Sequence, residues 1–382
     1  MAQKLKTDWI LFATVLAMIS FGVLMLYSAS SIMARLDARY GSSWYFVLRQ
    51  VEWAAVAVAV MMAFKRMHYR KFQNRAVAFS AIGIAILMLF AVYFLDPVHH
   101  RWLRAGPVGI QPSEIAKPAL VIFLAFFVTW RARAINDARH TLIPAALAVG
   151  LVIFAVVVPD LGTAVVLGLS AMIVFFVAGL QWRYCFIVAG LALLGLLVSI
   201  WAEPYRLIRV IKWVDPNYKI ISVFDPQGKL KARAERTLRT RDTNYQLDQS
   251  KIAVGAGGPV GVGLMNGRQK LLYLPEAHTD FIYAVVGEET GLFGAVGLLI
   301  GFGVIFWRGL RTTVHMNDDF GRYLALGVTA VVVVQGLINI SVVLGMMPTK
   351  GIPLPMISYG GSSLLSTLAM LGILMNVSEH AG

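Results

Sequence analysis

The strongest constraint on this chain is the recurrence of apolar runs about 20 residues long, the length at which a helix crosses the hydrocarbon core of a membrane. Ten runs qualify, at residues 9–27, 45–64, 76–95, 114–130, 142–158, 161–179, 184–201, 280–307, 322–345 and 359–377. They recur along the whole length, so the membrane part is the protein and not an anchor on a soluble domain. Composition agrees, with 58% of residues hydrophobic and only 14% charged, more apolar surface than a soluble domain can hide. In lipid the backbone must satisfy its own polar groups, which favours helices. The predicted fold class is therefore an all-α integral membrane protein of about ten transmembrane helices, one polytopic domain over 1–382. A single cysteine, Cys185, excludes a disulfide within the chain and reads as a packing residue.

Lys and Arg in short loops set the orientation. With both termini in the cytoplasm, the cytoplasmic segments carry 14 such residues, including Lys4, Lys6 and the run KRMHYRKFQNR. The short outside loops then carry seven: Arg35, Arg39, Arg49, Arg101, Arg104, Lys117 and Lys350. The other 13 lie in one long segment, 202–279, between the seventh and eighth spans. Long loops translocate largely regardless of charge, so this segment is expected outside as a large extracytoplasmic loop. The run after Lys4 and Lys6 is too long for a secretory h-region and reads as a spanning helix. A basic surface beside a bilayer, in a chain of net charge +14, suits an anionic partner at headgroup level and not a nucleic acid.

Polar residues gather at a few places along this apolar chain. LPEAHTDF, 274–281, opens the eighth span and carries Glu276, His278 and Asp280. On an extended segment those three alternate to one face. Asp280 reads either as a helix cap or as a carboxylate at the membrane surface able to take a proton. A metal site is a third, weaker reading, since no further ligand spacing supports it. Glu288 and Glu289 lie two turns deeper, about 12 Å along the same helix. Ionisable residues there face a cavity or a partner, so the pair reads as a site or as a salt bridge between helices. The preceding NYQLDQSKIAVGAGGPVGVGLMNGRQK is dense in glycine but lacks the Gly-Lys-Ser/Thr ending of a phosphate loop. Its apolar residues suit a short re-entrant or interfacial helix. MPTKGIPLPMISYGGSS, 347–363, holds Lys350, Ser358 and three prolines that prevent regular helix. Non-helical backbone at the membrane edge survives where it is buried or lines a cavity, with Lys350 aimed at an anion or reaching for lipid headgroups. HHRWLRAGPVGIQPSEIAKP supplies Arg101, Glu114 and Lys117, and in PDLGT Asp160 can cap the next helix.

These stretches together resemble the SEDS family of bacterial membrane proteins, the FtsW/RodA group. YSAS (27–30), QPSE with Lys117, PDLGT, YQLDQS (245–250), LPEAHTDFIYAVVGEETGLFG (274–294) and PTKGIPLPMISYGGSS (348–363) follow in the family's order over nearly the whole chain. LPEAHTDF with Ala277, and PTKG, are more similar to the division branch than to the elongation branch. The basic run 227–242 departs from the family pattern, and no site is assigned there.

The resemblance implies a peptidoglycan glycosyltransferase of septal cell-wall synthesis, multi-pass in the bacterial plasma membrane at the division septum. Its substrate would be lipid II, a disaccharide-peptide on undecaprenyl pyrophosphate. Its partners would be a cognate class B penicillin-binding protein and other divisome membrane proteins. The family's catalytic aspartate falls on Asp280 and its loop lysine on Lys350. The chemistry is consistent: inversion at an α-linked donor needs one base for the acceptor hydroxyl. A pyrophosphate leaves well once its charge is neutralised, so cations replace the second carboxylic acid of a glycosidase. Lys350 and Arg101 are expected to bind pyrophosphate, with a divalent cation (Mg2+ or Mn2+) as a further candidate. Glu276, His278, Ser358, Glu288 and Glu289 are expected to line or orient the substrate site. The rival readings are a lipid II flippase and a non-catalytic scaffold for the penicillin-binding protein. No inverted repeat supports the first, and the second leaves the grouped polar residues unexplained.

Overall fold

The computed structural model describes residues 7–37, 40–96, 100–105, 108–215, 243–271, 273–348 and 351–381. Its helices are α1 (Trp9–Leu36), α2 (Tyr45–Arg66), α3 (Arg75–Leu95), α4 (Pro112–Trp130), α5 (Ile143–Val157), α6 (Leu161–Val177) and α7 (Trp182–Ala202). They continue with α8 (Pro204–Val214), α9 (Thr243–Gly257), α10 (Ile282–His315), α11 (Asp319–Val343) and α12 (Gly361–Glu379). A small antiparallel hairpin, β1 (Leu103–Ala105) and β2 (Val108–Ile110), joins α3 to α4. The all-helical membrane architecture expected from the sequence is present.

Among the described residues, nine helices are long and apolar enough to cross a membrane, α5 counting together with the wider helical turn Ala138–Leu142 that runs into it. The sixth expected span is shorter, at 17 residues. At 1.5 Å per residue it reaches about 25 Å, less than a hydrocarbon core of about 30 Å. Asp160 sets its start, with its carboxylate accepting from Thr163 N (3.1 Å) and Thr163 Oγ1 (2.8 Å), so the capping reading of PDLGT holds. The first span runs on well past residue 27, which puts YSAS inside α1, where Ser28 and Ser30 are buried.

A spanning helix is apolar all round, so burial, and not hydropathy, separates centre from periphery. The spanning windows of α11 and α12 are 78% buried and that of α4 is 72%, against 6% for α7. The core is thus built on α4, α11 and α12, with α2 packed along α12. That packing is close: a Cβ added to Gly372 of α12 would lie 2.4 Å from the Met61 carbonyl oxygen of α2. Backbones that approach this closely replace the missing hydrophobic drive between helices in lipid.

Both chain ends lie at one end of the bundle. Lys65 Nζ pairs with Glu379 (2.8 Å), Arg308 pairs with Asp8 (2.7 Å), and Thr7 Oγ1 donates to Glu379 (3.0 Å). These contacts gather the start of α1 with the ends of α2, α10 and α12. The opposite end collects the starts of α2, α10 and α12. Between α7 and α10, the described part of the long loop holds α8 and α9, and turns follow over 258–271 and 273–281. Arg206 of α8 donates to the Val157 and Val158 carbonyls at the end of α5 (2.9 and 2.6 Å), and Trp213 Nε1 donates to Gly345 O (2.9 Å). The basic run 227–242 lies outside the described residues.

Candidate active site

At the end of the bundle opposite the termini, 274–281 meets 351–360. Tyr359 N donates to His278 O (3.0 Å). Ser358 Oγ donates to Thr279 O and accepts from Leu354 N (2.8 Å), so one buried hydroxyl ties both segments together. Asn339 of α11 bridges them again, its Nδ2 donating to Asp280 O (2.8 Å) and to Ile352 O (2.6 Å). A Cβ built on Gly351 would lie 2.4 Å from Asp280 Oδ2, so the carboxylate rests against the backbone of the proline-rich segment. Lys350, expected to bind pyrophosphate, lies outside the described residues.

The segment 274–281 differs from the extended reading. It is a series of turns, with Glu276 at φ 57°, so alternation does not put Glu276, His278 and Asp280 on one face. Glu276 is exposed and accepts locally from Thr279 Oγ1 (2.8 Å). The His278 ring packs against Phe46 of α2 (centroids 4.9 Å) and Tyr359 (6.0 Å). Burial holds its pKa below the usual imidazole value, with Glu276 pulling the other way. Helix α10 begins only at Ile282, with Phe281 at its N-cap and no side-chain cap there.

Beneath the two segments lies a buried polar network. Lys117, counted above among the outside cations, is instead fully buried in α4. Its Nζ donates to Glu114 Oε1 and to Gln335 Oε1 of α11, both at 2.7 Å. Ser366 of α12 donates to the other Glu114 oxygen (2.9 Å), and Gln335 Nε2 donates to Pro353 O (2.8 Å). A buried ion pair is tolerable when further hydrogen bonds satisfy its remaining lone pairs and protons, as these do. The network fastens α4, α11 and α12 to the carbonyls of 352–353. Gln50 of α2 clamps the far side, donating to Ser358 O (3.2 Å) and accepting from Gly360 N (3.2 Å).

Glu288 and Glu289 have a different setting. Helix α10 breaks at Gly291 (φ 64°), which frees carbonyls one turn earlier, and the glycine segment supplies their donors. Val262 N donates to Glu288 O (2.9 Å) and Gly263 N to Glu289 O (3.1 Å). Gly261, at φ 86°, approaches so closely that a Cβ would lie 2.2 Å from Glu289 O. Both carboxylates turn onto the same segment. Glu288 accepts from Arg268 N (2.7 Å) and Gln269 N (3.2 Å). Glu289 accepts from Met265 N (3.1 Å) and Ser28 Oγ (2.6 Å) and pairs with Lys270 (2.5 Å). Glu289 and Lys270 are almost fully buried, and their salt bridge ties α10 to the turn after α9 and not to another helix. The glycine-rich stretch itself splits into α9 and a turn seated in the break.

Arg101 sits on the α3–α4 connection. Its guanidinium pairs with Asp160 at 3.4 Å, and its buried Nε has no hydrogen-bond partner among the described residues. Among the described residues, no three His, Cys, Asp or Glu side chains converge as metal ligands.

Sequence reasoning missed Gln50, Gln335, Asn339 and Lys270. The first three had a legible signal, a polar side chain inside an apolar span. Lys270 had none, because its partner lies 19 residues on in sequence, across the turns that lead into α10.

Comparison with known proteins matches nearly the whole length of the chain. The pattern of the FtsW/RodA/SpoVE family, described as cell cycle protein, fits residues 8–382. A probable peptidoglycan glycosyltransferase FtsW of Geobacter sulfurreducens is 35% identical over 98% of this chain and 96% of its own. Stage V sporulation protein E of Bacillus subtilis is 33% identical over 99% of both. Among solved structures, a chain of a peptidoglycan synthase complex that coordinates polymerization and crosslinking superposes with a TM-score of 0.73. It is 28% identical, with 98% of each chain covered. The rod shape determining protein RodA of Thermus thermophilus gives a TM-score of 0.66 at 25% identity, covering 100% of this chain and 99% of that one.

Proposed function

The chain belongs to the FtsW/RodA/SpoVE family of cell cycle proteins, and from that membership we propose that it is a peptidoglycan glycosyltransferase polymerising lipid II into glycan strands. The observation that carries the reading is the Asp280 carboxylate, part-buried and set against the Gly351 backbone at one end of a membrane bundle. A sugar hydroxyl borne on a lipid headgroup arrives at this level. In the proposed reaction the acceptor hydroxyl attacks the donor's anomeric carbon, its proton passes to Asp280, and the lipid pyrophosphate leaves with the bonding electrons. The product is inverted, and one carboxylate is enough. Lys350 and Arg101 neutralise pyrophosphate as it departs. Glu276, His278, Ser358, Glu288 and Glu289 act by positioning. Glu288 and Glu289 fix the glycine segment that leads into 274–281, and Ser358 fixes that segment against 354–360.

The end that holds Asp280 is assigned to the outside and the termini to the cytoplasm, which agrees with the Lys and Arg bias of the short loops. The names of the relatives favour a role in division or sporulation septa. A class B penicillin-binding protein is the partner suggested by the likeness to a synthase complex.

The test is reconstitution of the purified chain with such a partner, itself free of glycosyltransferase activity, in vesicles containing lipid II. Long glycan strands are expected. Lipid II crossing the bilayer with no polymer formed would overturn the enzyme reading in favour of a flippase.

A further inference from the structure

A groove opens on the lipid-facing side of the bundle between α1 and α2, with a volume of about 530 Å³. Its walls are Ile19, Ser20 and Val23 from α1 and Val51, Ala54, Ala55 and Val58 from α2. The lining is apolar, and small residues supply its depth. Each wall is fastened to the candidate site by a neighbouring residue. On α1, Gly22 lies beside Val23, and a Cβ there would stand 2.6 Å from the Met356 carbonyl oxygen. On α2, Gln50 lies beside Val51 and holds the backbone of Ser358 and Gly360. One turn above Val51 on α2, Phe46 carries the His278 and Tyr359 rings.

The groove therefore leads away from the site along the membrane depth. Val51 to Val58 spans about 10 Å of helix. Its site-proximal end lies under the stacked rings of Tyr27 and Trp44 (centroids 4.4 Å), aromatic pairs being favoured at the membrane interface. Arg49 stands at the same level of α2, 46% exposed and loosely paired with Glu52 at 3.8 Å. From site to membrane interior the order is carboxylate, cation and apolar trough, which is the order of sugar, phosphate and tail in a lipid-linked sugar.

We infer that the α1–α2 groove binds the first isoprene units of the polyprenyl tail of a lipid-linked sugar substrate, with Arg49 at its mouth facing the phosphates. The inference rests on the proposed reading of the site. Bulk phospholipid chains and a partner's transmembrane helix are the competing occupants.

The test uses the full chain with its partner and lipid II carrying either the full-length tail or one of three or four isoprene units. A diazirine in the first isoprene units is expected to crosslink wild type at the groove residues in preference to a diazirine phospholipid in the same vesicles. Filling the groove with Ala55→Trp is expected to lower the ratio of kcat/KM for long- over short-tailed substrate about tenfold, roughly the loss of two buried methylenes. Equal labelling by the phospholipid would overturn the inference, as would an unchanged ratio or equal losses on both substrates. Absence of polymer from wild type with either substrate would instead refute the glycosyltransferase reading itself.

Discussion

Adding one methyl group at Gly351 tests the geometry around Asp280 without touching an ionisable residue. A Cβ there would lie 2.4 Å from Asp280 Oδ2 and 3.4 Å from Asp280 Cγ. An ordinary contact needs roughly 3.5 Å, so Gly351→Ala must move the carboxylate or the segment facing it by about 1 Å. Gly351 lies outside the left-handed region, so alanine suits its backbone and should leave stability unchanged or raise it by about 0.4–1 kcal/mol. A displacement of about 1 Å at reacting groups costs on the order of 100-fold in rate, about 2.7 kcal/mol of barrier. The assay is single-turnover polymerisation of labelled lipid II by the purified chain with its partner, beside a thermal melt of the same preparation. The expected result is a large fall in kcat with an unchanged or slightly raised Tm. Wild-type kcat in a well-folded Gly351→Ala protein would refute the reasoning, because the carboxylate would then be free to move without consequence.

Further outcomes follow from neighbouring contacts. Lys270→Met leaves the Glu289 carboxylate buried without its cation, at a cost of about 3–5 kcal/mol read as a lower Tm, and Lys270→Met with Glu289→Met should recover part of that loss. Burial lowers the His278 pKa in the fold, whereas the unfolded chain binds its proton below about pH 6.5. The unfolded state therefore gains protons first, and this part of the stability is present at pH 7 and lost as pH falls through the depressed folded pKa. Tm measured from pH 7 to pH 5 should fall less steeply in His278→Gln than in wild type.

Much of the architecture was legible because the bilayer imposes a length and a polarity on every span. Runs of about 20 apolar residues, Asp160 as a cap, and the prolines of 347–363 each state a local requirement that the fold meets. Contacts between distant segments were not legible. Lys117 reads as a loop cation beside a span, yet it is a core residue because Glu114 one turn away and Gln335 of α11 accept from it, with Ser366 of α12 holding the Glu114 carboxylate from the other side. LPEAHTDF alternates in a way that suits an extended strand, but Tyr359, Ser358 and Asn339 hold it as turns. Glu288 and Glu289 announced themselves as costly intramembrane charges. That they seat a glycine turn in a broken helix depends on donors 19 to 24 residues earlier in sequence, together with Ser28. Gln335 and Asn339 carried the same signal as the glutamates, and uncharged amides are easily passed over.

The central claim is that Asp280 takes the proton from the acceptor sugar, and the most direct measurement is lipid II polymerisation by Asp280→Asn beside wild type, both with the partner present. Asparagine keeps the size and polar character of the side chain while removing the base. The account expects glycan strands from wild type and none above background from a folded Asp280→Asn protein that still binds lipid II. Equal strand synthesis by both would contradict it.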